Sequence, residues 1–295
     1  MLPRPDRGRR GRRWAPAVER YGVTALATGL VLAAAGVHAT WNLLAKRTGG
    51  GAAFIWMTCL ASGLFYAPLA AALAWWQRPA IGPLHVLVMA GSAVLRTGYF
   101  LLLMRGYRAG DLSLVYPLAR GTGPALATAA AVAFLGERPT TMALAGAALV
   151  VLGVFGLTGG PRIFARRHPA AGRAVAYGLA TGLLIAGYTL WDKQAVAALL
   201  IPPVIMDWGA NVGRVALLSP LAARGWDQVR LHWRVHRIET LGVGLLAPLS
   251  YILVLTAMVF TPVSYVAPAR EVSILVAAVL GTRVLAEADG ARRLA

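Results

Sequence analysis

Acidic residues and lysine are scarce in this chain. Of 295 residues only 11 are Asp or Glu, and the 29 basic residues are almost all Arg, with lysine at Lys46 and Lys193 alone. Charged side chains make up 14% of the sequence, against roughly 25% in an ordinary soluble domain, while the AVILMFWYC set makes up 58%. So little charge cannot cover a wet globular surface, which argues against a soluble enzyme and against disorder. The formal net charge of +18 imitates a nucleic-acid footprint. The cations, however, sit in an N-terminal tail and in short breaks between apolar runs, the pattern of membrane helices with basic ends, and no nucleic-acid partner is expected. The excess of Arg over Lys reads as codon bias in a GC-rich genome.

Cysteine is lacking too. Cys59 stands alone inside an apolar run, so there is no intrachain disulfide and no Cys-based metal site; it reads as a small buried residue. No ten-residue run alternates apolar with polar, which argues against a β-barrel. A phosphate loop and a Gly-x-Ser-x-Gly elbow are both missing. The chain therefore reads as no enzyme, with neither cofactor nor metal.

Long apolar runs are what the chain has in abundance. A helix needs roughly 20 apolar residues to cross the hydrocarbon layer, and nine stretches qualify: 23–45, 53–76, 82–105, 112–134, 140–159, 174–192, 201–222, 239–260 and 264–285. The breaks carry turn chemistry, as in Thr48-Gly49-Gly50-Gly51 and Gly136-Glu137-Arg138-Pro139. The two longest, 160–173 and 223–238, are basic. Residues 1–21, with arginines from Arg4 to Arg13, resemble a secretory leader. The apolar run that follows is longer than a leader's 7–15 or so residues and ends in His38, Trp41 and Asn42, so this stretch reads as a basic tail. The loops of the body place the N-terminus outside the cell, whereas the tail places it inside.

A shift of 150 positions superposes the chain on itself: Trp41 on Trp191, Asn42 on Asp192, Arg120 on Arg270, and Leu135-Gly136-Glu137 on Leu285-Ala286-Glu287. Each of the two arginines follows a proline (Pro117, Pro268) and a tyrosine (Tyr116, Tyr265). Three sets of matches at one offset, with Trp41 and Asn42 as one set, argue for a duplicated unit, 22–160 and 173–290. Five spans in the first copy is an odd number, so the second copy enters the membrane from the opposite face, the inverted-repeat plan of secondary transporters. The repeat calls for a tenth span at about 290–309, beyond Ala295.

The stretch from His38 to Lys46, the stretch Gly110-Asp111-Leu112-Ser113-Leu114-Val115-Tyr116-Pro117-Leu118-Ala119-Arg120-Gly121, Leu135-Gly136-Glu137-Arg138 and the segment from Pro262 to Glu271 together resemble EamA-type members of the drug/metabolite transporter superfamily. The resemblance covers roughly residues 23–288. It implies ten helices in two inverted repeats, of which nine are seen and the last is missing. It also implies alternating-access transport of a small organic solute, export rather than import, in the inner (plasma) membrane of the cell as a multi-pass protein. Proton coupling and a homodimer stay open. The rival readings are a membrane scaffold or transport-inactive truncated homologue and, behind it, a membrane-embedded enzyme acting on lipid.

Ionisable groups deep in a bilayer cost about 2.5–3.5 kcal/mol on insertion scales, so they face a cavity or a partner. Arg120 lies eight residues into its span, about 12 Å from the end, and Arg270 at a similar depth. Each should follow a proline kink. The planar guanidinium suits a carboxylate, which makes an amino acid or other carboxylate the natural solute. Internal pairing with Glu271 or Asp207 is the competing account. Asp207, Asn211 and Arg214 share one helical face, as packing polar groups or as cavity lining. Glu271 and Asp207 are the carboxylates available to carry a coupling proton. His38, Trp41, Asn42, Tyr116, Trp191 and Tyr265 complete the candidate solute site. Glu137 reads as a solvated turn residue. The glycine spacings 22, 29, 36 and 146, 153, 156 suggest close helix contacts.

Overall fold

The structure, a computed structural model, describes residues 24–109, 112–157, 171–274 and 276. The basic tail 1–21, most of the segment between the two halves, the Leu285-Ala286-Glu287 match and the region of the tenth span lie outside the described residues. Among the described residues there are nine helices and no strand: α1 Ala25–Lys46, α2 Ala52–Gln77, α3 Pro83–Ala109, α4 Leu112–Leu135, α5 Thr141–Leu157, α6 Ala171–Ala197, α7 Pro203–Arg224, α8 Trp226–Phe260 and α9 Val263–Ala269.

The helix ends follow local chemistry. Thr24 caps α1, its side chain accepting from the Ala27 amide at 3.1 Å. Gly49, Gly50 and Gly51 all take positive φ (67°, 70° and 108°) in the turn to α2, and Gly136 takes φ 67° just past the end of α4. A side chain rarely adopts these values, so the glycines set where the two helices stop.

Six helices (α1, α2, α3, α4, α6 and α8) contain stretches long and apolar enough to cross a membrane. The other three stretches read from the sequence fall short for separate reasons. α5 is described over 17 residues, α7 is 22 residues long but carries Asp207, Asn211 and Arg214 in its interior, and α9 is described over seven. α8 differs in the other direction. Its 35 residues would extend about 52 Å, well beyond a hydrocarbon core of about 30 Å. The break falls at His236, whose φ −125° and ψ 30° leave the helical region. The basic stretch 223–238, read as a loop, is mostly helical, because nothing after Gly225 stops a helix before that kink.

The outer surface is apolar. Leu64, Leu87 and Leu149 are each about two-thirds exposed (67%, 66% and 69%), a facing that lipid tolerates and water does not. Trp75 and Trp76 project at the end of α2, 79% and 86% exposed, where interfacial anchors belong. Inside, Val31 and Ala34 of α1, Met89 of α3, Met206 of α7, Leu255 and Met258 of α8 and Val266 of α9 share one core. Lipid tails are as apolar as leucine, so close van der Waals packing rather than escape from water holds this core together.

The helix pairings cross between α1–α5 and α6–α9. α1 packs on α8 as α6 packs on α3, and α2 packs on α8 as α7 packs on α3. The close contacts do not use the glycines singled out in the sequence: a Cβ at Gly29, Gly36, Gly146, Gly153 or Gly156 would meet nothing within 4 Å. The tight seam is α4 against α6 instead. A Cβ on Gly182 would lie 2.0 Å from Thr122 Oγ1 and 3.2 Å from the Gly123 backbone nitrogen.

Candidate functional site

Two buried polar clusters lie within the helix bundle. The first gathers Arg120 of α4, Arg270 and Glu271 just after α9, and His38 of α1. Glu271 is 2% exposed and lies between both guanidiniums: Arg120 Nε to Oε2 is 3.3 Å and Arg270 Nε to Oε1 is 3.8 Å. These are ion-pair contacts without hydrogen-bond geometry. Among the described residues, both carboxylate oxygens of Glu271 and the Nε atoms of both arginines lack a hydrogen-bond partner. His38 Nε2 stands 3.1 Å from an Arg120 terminal nitrogen; a guanidinium only donates, so Nε2 is the acceptor. Trp41 packs edge-on against the His38 ring at 4.7 Å. The Arg120 guanidinium lies 5.9 Å from the centre of the Tyr116 ring.

The backbone around these arginines takes two forms. α4 runs unbroken through Pro117 and Arg120. After α9 the chain tightens past Pro268, at Arg270 and Glu271 themselves: the Glu271 amide donates to Pro268 O (3.0 Å) and the Ile274 amide to Glu271 O (2.9 Å). Within this turn Arg270 and Glu271 come into ion-pair contact.

The second cluster centres on a residue that the sequence reading passed over. Arg96 of α3 places one terminal nitrogen 2.8 Å from Asp192 Oδ2 and the other 2.7 Å from Asp207 Oδ1. Its guanidinium also lies over the Tyr251 ring at 4.1 Å. The Tyr251 hydroxyl donates to Asp192 Oδ2 (2.7 Å), and Asn211 Nδ2 donates to Asp207 Oδ2 (2.8 Å). Arg214 donates to Asn211 Oδ1 at 3.2 Å. Asp207, Asn211 and Arg214 thus act together, as their spacing on one face predicts, but in this cluster and not beside Arg120 and Arg270. Tyr188 links the two regions: its ring is 5.9 Å from Tyr99 and 6.1 Å from Tyr251.

Other candidates fall outside both clusters. Trp191 is 41% exposed, donates to Val88 O at 2.8 Å and fills the space a Cβ of Gly91 would need. Tyr265 accepts from the Thr140 amide at 3.2 Å. Asn42 lies one turn beyond His38, half-buried, without a hydrogen bond to either arginine. Glu137 is no solvated turn residue. Its two carboxylate oxygens accept from the Val263 amide (2.7 Å) and the Ser264 amide (2.9 Å), capping α9. Lys193 lies in α6 and donates to Met258 O and Thr261 O. The sequence also holds a histidine pair one helical turn apart, His232 and His236. Their rings are 5.1 Å apart, and no group of three possible metal ligands forms among the described residues.

Comparison with known proteins agrees with this architecture. A crystal structure of another protein superposes with a TM-score of 0.67, covering 89% of each chain at 15% identity, a likeness of fold alone. No curated protein matches the chain in sequence. Residues 25–159 match the EamA-like transporter family. Residues 25–159, the first five helices, are therefore similar to an EamA-like transporter unit, carried in an all-α membrane protein.

Proposed function

We propose that the protein moves a small organic anion, an amino acid or other carboxylate, across the inner (plasma) membrane by alternating access between two inverted repeats, in the direction of export. The observation that carries this reading is the convergence of Arg120 and Arg270 on the single carboxylate of Glu271, with donors on both guanidiniums left unpaired. Two buried cations against one anion leave an excess positive charge, and burial of an uncompensated charge is costly. A carboxylate solute supplies the missing charge and the acceptors. The guanidinium fork matches it in geometry, while Tyr116 and Trp41 offer aromatic faces nearby.

The test is uptake into and efflux from liposomes containing the purified full chain, with a panel of radiolabelled amino acids and simple carboxylates. At least one carboxylate should cross, with Arg120→Ala and Arg270→Ala each lowering the rate at least tenfold while Trp191→Ala leaves it within twofold. Transport by folded, membrane-inserted Arg120→Ala and Arg270→Ala at the normal rate overturns the assignment.

A further inference from the structure

The first part of α8 is too charged for hydrocarbon and too apolar for water. Residues 239–260 alone extend about 33 Å, enough to cross a hydrocarbon core of about 30 Å. Residues 226–238, which contain the break at His236, add about 20 Å of helix beyond that need. Contacts with α2 show at what level they lie. Trp226 packs edge-on against Trp56 with ring centres 6.1 Å apart, Val229 packs with Met57, and the His232 ring lies 5.7 Å from that of Phe54. All three partners belong to the first two turns of α2. This segment therefore crosses the start of α2. After the break, α8 turns inward along α2, so that a Cβ on Gly244 would lie 2.7 Å from the Cβ of Ala61.

The side chains of the segment sort into faces. Val229 and His232 turn toward α2. Leu231, Val235 and Ile238 recur at helical spacing on a second face and are 64%, 61% and 74% exposed. Arg230, Arg234 and Arg237 recur at the same spacing on a third face, all exposed, with Trp226 and Trp233 beside them. Water disfavours the second face and acyl chains disfavour the third. The headgroup boundary of a bilayer accepts both, because there an amphipathic helix buries its apolar side and keeps its cations among the headgroups. Tryptophan is at home at the same level.

The charge is not neutralised from within the protein. Among the described residues, Arg230, Arg234 and Arg237 make no side-chain ion pair or hydrogen bond. Asp227 lies at the start of the segment, and Glu239 faces His236 at 3.9 Å. Arg224, exposed at the end of α7, adds a further cation.

We infer that residues 226–238 form an interfacial lipid-binding element, in which Arg230, Arg234 and Arg237 hold the phosphates of anionic phospholipids on the membrane face where α8 begins. The guanidinium fork matches a phosphate in geometry, and a basic segment at the membrane surface is drawn to an anionic leaflet. The break at His236 lets one helix serve both as surface element and as span. This site is separate from both polar clusters and does not depend on the transport reading.

The full chain in bilayers of equal parts phosphatidylcholine and phosphatidylglycerol tests this by electron paramagnetic resonance. A nitroxide on Val235→Cys, in a Cys59→Ala background, should be relaxed by oxygen and shielded from a water-soluble nickel chelate. Spin-labelled phosphatidylglycerol should be retained by the protein in preference to spin-labelled phosphatidylcholine. The triple variant Arg230→Gln, Arg234→Gln, Arg237→Gln should lower that preference by up to about fivefold for each arginine removed, whereas Arg78→Gln, at the other end of α2, should leave it unchanged. A label open to the chelate, equal retention of the two lipids by the wild type, a preference that survives the triple substitution, or an equal loss in Arg78→Gln overturns the proposal. So does shielding that appears only as the protein-to-lipid ratio rises, which assigns the face to a second copy of the chain. The label and the wild-type preference decide the matter even if the triple variant fails to fold.

Discussion

Replacing Glu271 by Gln isolates what holds the two arginines. At an effective dielectric of about 20, charges 3.3 and 3.8 Å apart attract by about 5 and 4 kcal/mol. Desolvation offsets much of this, and removing one partner of a buried pair costs about 3–5 kcal/mol net. That is a large part of a typical total stability of about 5–15 kcal/mol. The variant should therefore melt well below the wild type. The same change also removes the internal competitor for a solute carboxylate. Hydrogen bonds to a charged group contribute about 1.5–3 kcal/mol, so a carboxylate solute should bind Glu271→Gln about ten- to a hundredfold more tightly. Thermal unfolding in lipid nanodiscs reads both effects, with acetate, a dicarboxylate and an α-amino acid titrated against chloride at equal ionic strength. A ligand specific to the folded state raises the melting temperature according to its concentration relative to Kd. A Glu271→Gln protein that melts with the wild type, or gains less than the wild type from every carboxylate, refutes the reasoning.

Two further predictions concern the scaffold. Gly182→Val drives a side chain into Thr122 and the α4 backbone and should cost about 1–3 kcal/mol. Gly146→Ala, which meets nothing within 4 Å, should stay within about 0.5 kcal/mol of the wild type; chemical denaturation in mixed micelles compares them. Glu137→Ala removes the acceptors for the Val263 and Ser264 amides and should cost about 0.5–2 kcal/mol. Hydrogen exchange should show faster exchange at those two amides, while the amides of α1 exchange as before.

The membrane class was legible because burial in lipid demands long apolar runs, and composition reports that directly. The depth of Arg120 and Arg270 was legible for the same reason: a cation inside such a run must find a partner. The hub of the second cluster was not. A 150-residue repeat marks only residues that recur, and position 246, the counterpart of Arg96, is Leu246. Arg96 lies well inside the third apolar run, so a plain inventory of ionisable residues in the spans would have found it. Trp191 and Trp41 pack differently because equivalence in sequence is not equivalence in surroundings. Its slot exists because Gly91 lacks a side chain, and the counterpart of Gly91 is Leu241. Trp41 has no such slot and packs on His38 instead. The role of Glu137 was hidden because its partners, the Val263 and Ser264 amides, lie 126 and 127 positions away.

That carboxylate also limits how the protein can move. It clasps the start of α9 to the turn that follows α4, so the two segments that deliver Arg120 and Arg270 are tethered at one end. If the halves rock against each other, this clasp is the natural fulcrum, and the guanidiniums swing apart like the arms of tongs. The spacing between them then depends on the tilt of α4 against α9, so on the transport reading proposed above the grip on an anion would tighten or loosen as the protein changes which face it opens.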